Sequence, residues 1–294
     1  MGKSFISKKT LDKSIICILY HNKLVDLSGL IKSLLNFNKI NIHIIVDGLT
    51  NINNEKKIRK LSKKIKITFL KKKGISYCRN YALKHAIKDD YKILLFLDSD
   101  ILPEKKLFFN HLKFHNKYKN IPILAGGVIP TFFKKKSDIF TTLDGIMSWL
   151  GHIPKKKFQI IKEPYHLATL NMSIKIDFIK KNKIFFDEKL STGEDIIFCR
   201  HVRNKGKDIG IIPNSNVHHQ DRIGFKDVLK HQAEWGRHQF YTVYKYNLKN
   251  FNFFYKFIFF IFYPLFLPII SVVFASISIK PWINYSLKYF KYFF

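Results

Sequence analysis

The sequence predicts an α/β protein built on a parallel sheet covered on both faces. Short apolar runs alternate with longer amphipathic ones from residue 14 onward, and aspartates stand at the ends of two of the apolar runs. Such alternation marks strand–helix–strand units, whose sheets bury both faces and bind ligands beyond the carboxyl ends of their strands.

The elements follow in order. "SIICILY" (14–20) reads as a strand, 26–37 as a helix, "NIHIIVD" (41–47) as a strand, 52–63 as a polar helix, "IKITFL" (65–70) as a strand, 76–88 as a helix and 92–98 as a strand. Asp47 and Asp98, closing the second and fourth strands, are expected to open onto one crevice. A second half, from about residue 121 to 215, is less regular. In it "ILAGGVIP" (123–130) and "ATLNMSIK" (168–175) read as strands and 194–205 as a helix stopped at Gly206, with an amphipathic helix expected over 224–247. The organisation this implies is a tail (1–13), one domain over 14–249 with halves at 14–120 and 121–249, and a hydrophobic segment at 250–294.

Composition narrows the function classes. With 294 residues, 47% of them hydrophobic and 16% aromatic, the chain can bury one large core or two modest ones. The formal charge of +31 invites a nucleic-acid reading, yet only six of the 52 basic residues are arginine and no arginine–aromatic clusters occur. No nucleic-acid partner is expected; an anionic membrane surface is the better use of the charge. Cys17, Cys78 and Cys199 are far apart with no CxxC spacing, which predicts three free thiols in a reducing compartment. The opening residues hold no apolar core before residue 14, so no secretory leader is expected. Residues 257–279 carry no charge over 23 positions, long enough to cross ~30 Å of hydrocarbon if helical. Pro264 and Pro268 would kink that segment and lysines flank both ends, so a single span or a re-entrant hairpin is expected.

The chemistry concentrates at "YKILLFLDSDILP" (91–103), where five apolar residues run straight into Asp98 and Asp100. Residues two apart on a strand point the same way, so the two carboxylates can converge beyond the sheet edge. Paired hard oxygen ligands suit Mg²⁺ or Mn²⁺ held together with a substrate's phosphates. The competing reading has Asp100 capping a helix that begins near Pro103. It leaves Asp98 unexplained. Thr192 with Asp195, and Ser191 with Glu194, have the spacing of a capping box at a helix start.

Five stretches taken together carry a resemblance. "KGISYCRNYALKHA" (73–86), "LDSD" (97–100), "GGVIP" (126–130), "LNMSIKIDFI" (170–179) and "FDEKLSTGEDIIFCRHVRNKG" (186–206) occur in an order and spacing that closely resemble the family 2 glycosyltransferases, over roughly residues 12–240. The resemblance implies a Rossmann-like A-type glycosyltransferase fold and an inverting, metal-dependent transfer from a nucleotide-diphosphate-sugar. The acceptor it implies is a hydroxyl of a glycan or lipid-linked molecule, in cell-surface polysaccharide or glycolipid synthesis.

Residue by residue, it implies donor binding by Asp47, where Val46 stands in place of the first aspartate of many members, and by Arg79 and Asp98. It implies Asp98 and Asp100 as metal ligands for Mn²⁺ or Mg²⁺, with His218 or His219, His219 favoured, as a third. Asp195 would be the catalytic base, with Glu194 and Trp235 touching the acceptor. The expected place of work is the cytoplasmic face of the cell membrane, with the 250–294 segment as anchor. A nucleotidyltransferase of related fold should carry a glycine-rich loop after its first strand, and "ILYHNKLVD" (18–26) has none. A non-catalytic membrane-bound scaffold should have lost carboxylates that are all present here.

Overall fold

The computed structural model describes residues 7–20, 27–35, 40–48, 60, 65–130, 139–162, 166–220, 222–231 and 233. By its internal contacts the chain divides at residues 239 and 240, and every described residue belongs to the first part. The expected apolar segment at 257–279, most of the polar helix at 52–63, and Trp235 lie outside the described residues. Among the described residues no helix is long and apolar enough to cross a membrane.

After a short helix, α1 (Lys8–Asp12), come β1 (Ser14–Tyr20), α2 (Leu27–Leu35), β2 (Asn41–Asp47), β3 (Lys66–Leu70), α3 (Ile75–Lys88) and β4 (Ile93–Asp98). A three-residue strand, β5 (Ile101–Pro103), and α4 (Leu107–Lys117) follow. The second half comprises β6 (Ile123–Ala125), β7 (Val128–Pro130), α5 (Ile139–Trp149), β8 (Gln159–Ile160), β9 (Asn171–Lys175), α6 (Ile176–Asn182), α7 (Glu194–Arg203), β10 (Ile209–Ile211) and β11 (Val217–His219). Residues 225–231 are helical, inside the longer helix expected there.

Eight strands form one sheet in the order β3-β2-β1-β4-β9-β6-β10-β8, and β5-β11-β7 form a second, smaller one. The strands β3, β2, β1 and β4 are parallel to their neighbours, as the alternating pattern predicts. All seven residues of β1 are buried, and the strand's two-residue period divides them between two cores. Ile16, Ile18 and Tyr20 pack with Leu27, Leu30 and Leu34 of α2 and with Leu107 and Phe108 of α4. Ile15, Cys17 and Leu19 pack on the other face with Cys78, Ala82 and Leu83 of α3 and with Phe198 and Val202 of α7.

The structure departs from expectation in three ways. β9 runs antiparallel to both β4 and β6, so the sheet is mixed. Its register sets Asn171 opposite Leu97, so the chain entering β9 arrives at the same edge at which β4 leaves. Second, "ILAGGVIP" is two strands in two sheets. At the break Gly126 lets the Ser215 backbone pass close by, because a Cβ there would lie 1.6 Å from the Ser215 carbonyl oxygen. Third, no helix starts at Pro103; that residue ends β5, and α4 begins four residues later at Leu107.

Candidate active site

The site is organised by the first two turns of α3. Ser76 and Asn80 are buried polar residues on that helix, and both are tied to the loop before α7. Ser76 Oγ donates to the Leu190 carbonyl at 2.5 Å, while Asn80 Nδ2 donates to the Phe186 carbonyl at 2.9 Å and its Oδ1 accepts from the Phe186 amide at 2.8 Å. These bonds fix where α7 starts. Between them Arg79, only 2% exposed, reaches across and ion-pairs with Glu194, the first residue of α7. Its Nη2 lies 3.7 Å from Asp98 Oδ1, and its guanidinium sits 5.6 Å from the centre of the Phe186 ring.

Three carboxylates therefore surround one buried cation. Burial works against the charge of Arg79, and Glu194, Asp98 and Asp195 outweigh it, so the guanidinium is held above its ordinary value. Burial pushes Asp98 up to about 7; Arg79 opposes that shift, and the charges of Asp100, Glu194 and Asp195 add to it. Burial also raises Glu194. A further positive charge beside Asp98 would relieve a carboxylate that is otherwise reluctant to ionise.

Glu194, expected to reach the acceptor, is 4% exposed and spends its carboxylate on Arg79. The capping box is not formed either. The residue preceding α7 is Gly193, in the left-handed conformation at φ 74°, with no side-chain cap, and Asp195 is the second residue of the helix. Asp195 Oδ1 accepts from the Ile196 amide at 2.9 Å, and its Oδ2 lies 3.8 Å from His166 Nε2.

Asp100 is not part of the strand that carries Asp98. It stands in the turn between β4 and β5, so backbone pairing rather than strand alternation positions it. His219 pairs with Ile101 across the small sheet, and the Gln220 amide donates to the Asp100 carbonyl at 3.0 Å. This brings His219 Nε2 to 3.8 Å from Asp100 Oδ1, which selects His219 over His218 as the histidine facing the acidic turn. Burial lowers the His219 imidazole, with Asp100 opposing.

Asp100 Oδ1 is buried and makes no hydrogen bond, and neither does His219 Nδ1. Among the described residues no group of three or more His, Cys, Asp and Glu is already gathered around a metal position. The donor types nevertheless suit a hard divalent cation, and an orphaned carboxylate oxygen is what such an ion would satisfy.

Asp47 lies where the strand order predicts, one strand removed from β4 at the same edge. Its carboxylate accepts from the Lys73 amide at 2.7 Å and the Gly74 amide at 3.0 Å, so it fastens the loop that leads into α3.

Two histidines absent from the sequence reading line the other side. His166 enters the site just before β9, and His152 lies in the turn after α5 with its ring 5.1 Å from that of His166. Trp149 bridges the two sides, 6.0 Å from His152 and 4.7 Å from His219, ring centre to ring centre. Burial, and then the proximity of His166, lower the His152 imidazole to about 3, so it stays neutral. Solitary histidines without ligand spacing give no signal in a sequence. Only the antiparallel entry of β9 puts His166 beside α7.

The α/β sheet thus gathers its acidic residues at the carboxyl edge of its parallel strands. Residues 15–173 match the Glycosyl transferase family 2 description, and the chain belongs to that family. It is 30% identical over 185 residues to the minor teichoic acid biosynthesis protein GgaB of Bacillus subtilis (strain 168), a match covering 60% of this chain and 19% of GgaB. The chain thus spans about a fifth of the length of that curated relative. The fold is similar to that of S. aureus TarS 1–349 in complex with UDP-GlcNAc, with a TM-score of 0.54 and 16% identity over 74% of this chain and 60% of that one. The TarS 1–349 complex with UDP aligns with a TM-score of 0.53 and 17% identity, over 70% of this chain and 60% of that one.

Proposed function

We propose that the protein is an inverting, metal-dependent glycosyltransferase that moves a sugar from a nucleoside-diphosphate donor to a hydroxyl of a cell-surface polymer of the teichoic acid kind. The observation that carries the reading is the gathering of Asp98, Glu194 and Asp195 around buried Arg79 at the carboxyl edge of the sheet. The GgaB likeness supports the acceptor class, and the UDP-GlcNAc complex of TarS supports a UDP-sugar, with N-acetylglucosamine the first donor to try.

The residues divide the work. Asp98 and Asp100, with His219 beside them, would hold Mn²⁺ or Mg²⁺. A divalent cation there supplies positive charge against the negative charge that develops on the leaving diphosphate. Arg79 compensates the carboxylates from beneath and fixes their positions. Asp195 takes the proton from the acceptor hydroxyl as that oxygen attacks, and general-base help of this kind gives typically ~10²–10⁴-fold. Inversion needs this one base alone, on the face opposite the leaving group. Asp47 organises the donor side through the loop before α3.

The test is a screen of nucleotide-sugars for donor hydrolysis and binding, run with Mn²⁺ and with a chelator. Metal-dependent turnover of one UDP-sugar supports the reading; equal nucleotide binding in both conditions overturns the metal assignment. We also place the protein at the cytoplasmic face of the membrane through residues 257–279, on the strength of their 23 uncharged positions. Release of the full chain from membranes by ~1 M salt would defeat that placement, since salt screens charge and leaves apolar burial intact.

A further inference from the structure

The base side of the site contains a second polar group aimed at the same point. Asp195 Oδ2 and His166 Nε2 face each other at 3.8 Å, too far for a direct hydrogen bond. Both are partly open to solvent, with side-chain exposures of 16% for Asp195 and 28% for His166. His152 packs against the far side of His166 and is itself buried and neutral, so it supports the ring without competing for the carboxylate.

At 3.8 Å the two groups are close enough to reach one oxygen placed between them. An oxygen about 2.8 Å from each, an ordinary hydrogen-bond length, would subtend an angle of roughly 85–90°, and opening the pair by about 0.7 Å brings that angle to the tetrahedral one. A hydroxyl has one proton and two lone pairs. Donating to Asp195 Oδ2 and accepting from His166 Nε2–H uses the proton and one pair, and leaves the second pair free to attack.

We propose that His166 binds the acceptor hydroxyl together with Asp195, and so selects which hydroxyl, and which lone pair of it, is presented to the sugar. The inference rests on the assignment of Asp195 as base. In the transfer step the oxygen forms its bond to the anomeric carbon as the bond to the diphosphate oxygen breaks. The diphosphate keeps that electron pair, and the hydroxyl proton passes to Asp195. His166 keeps its own proton throughout. The hydrogen it donates sits on Nε2, the ring nitrogen that faces Asp195. Among the described residues, the charged or titratable groups around His166 are Asp195 on α7, and His152 with nearby Lys155 in the segment after α5.

The test uses the full chain with UDP-GlcNAc and water as the simplest acceptor hydroxyl, followed from pH 5 to 8. His166→Ala should lower turnover by ~10-fold or more with nucleotide affinity unchanged, while His166→Gln, which keeps an N–H donor at the same reach, should recover much of the loss. Wild-type turnover in His166→Ala, or an equal loss in His166→Ala and His166→Gln, overturns the inference. The base assignment fails separately, by near-normal turnover of Asp195→Asn itself.

Discussion

Glu194 and Asp195 are neighbours in sequence, on the first turn of one helix, and they face opposite fates. Glu194 is turned under the sheet edge and locked to a buried arginine; Asp195 is turned outward toward a half-exposed histidine. On the buried side Glu194 is tied to Arg79 and Asp98 lies beside the same guanidinium, so that side is built for rigidity and for holding a fixed field. The outer side keeps a gap into which a substrate atom fits. One position along a helix rotates a side chain by about 100°, enough to separate scaffold from chemistry.

The strongest way to break that contrast is to remove the shared cation. Arg79→Met should destabilise the fold by about 3–5 kcal/mol, because it strands buried Glu194 and leaves Asp98 without its counter-charge. Urea unfolding checks this. Adding Glu194→Leu to Arg79→Met should restore part of the stability, since an apolar pair can occupy the space of a buried ion pair. An Arg79→Met protein as stable as the wild type would mean that the pair is not buried in solution.

Asp98→Asn and Asp100→Asn come next. Each should abolish transfer and remove the metal dependence of nucleotide binding while the protein stays folded, because neither side chain fills the core. Asp195→Asn should cut turnover by ~10²–10⁴-fold and leave donor affinity intact, which distinguishes the outer carboxylate from the metal pair. Comparable loss of donor affinity in all three variants would erase the distinction between the two sides.

The parts that the sequence discloses are those that local patterning controls. β1, β2 and β4 are apolar runs whose limits follow from where the apolar residues stop, and Asp47 and Asp98 are legible because they interrupt those runs. What stays hidden depends on contacts between distant segments. Nothing local tells Gly126 that the Ser215 carbonyl will pass beside it, or says which of Glu194 and Asp195 will meet an arginine 115 residues earlier. The direction of β9 is equally silent in its composition, and with it the arrival of His166. Asp100 was legible as a residue type and illegible as a position, since it lies in a turn and is placed by the pairing of β5 with β11.

The smallest effect sharpens the contrast through pH. His111 and His115 of α4 are buried under the sheet, where His111 Nδ1 and His115 Nε2 meet Ser173 Oγ at 2.7 and 2.8 Å. Burial lowers His111 to about 4 and His115 well below its ordinary value, and it lowers His43 and His152 to about 3. A histidine depressed by folding contributes stability that is complete above its unfolded value near 6.5 and is lost as pH falls toward the folded value. For His111 the loss between pH 7 and 5.5 is on the order of 1 kcal/mol. Asp98 works in the opposite sense: a carboxyl raised by folding takes up its proton first in the folded state, so acidification through 7 favours the fold. With a chelator present, the urea midpoint of the wild type should therefore fall from pH 7 to 5.5. The fall should be steeper in Asp98→Asn, which loses the opposing carboxyl, and shallower in His115→Asn, which loses one core imidazole. An identical slope in all three proteins would mean that neither the buried histidines nor the acidic edge titrates as their burial requires.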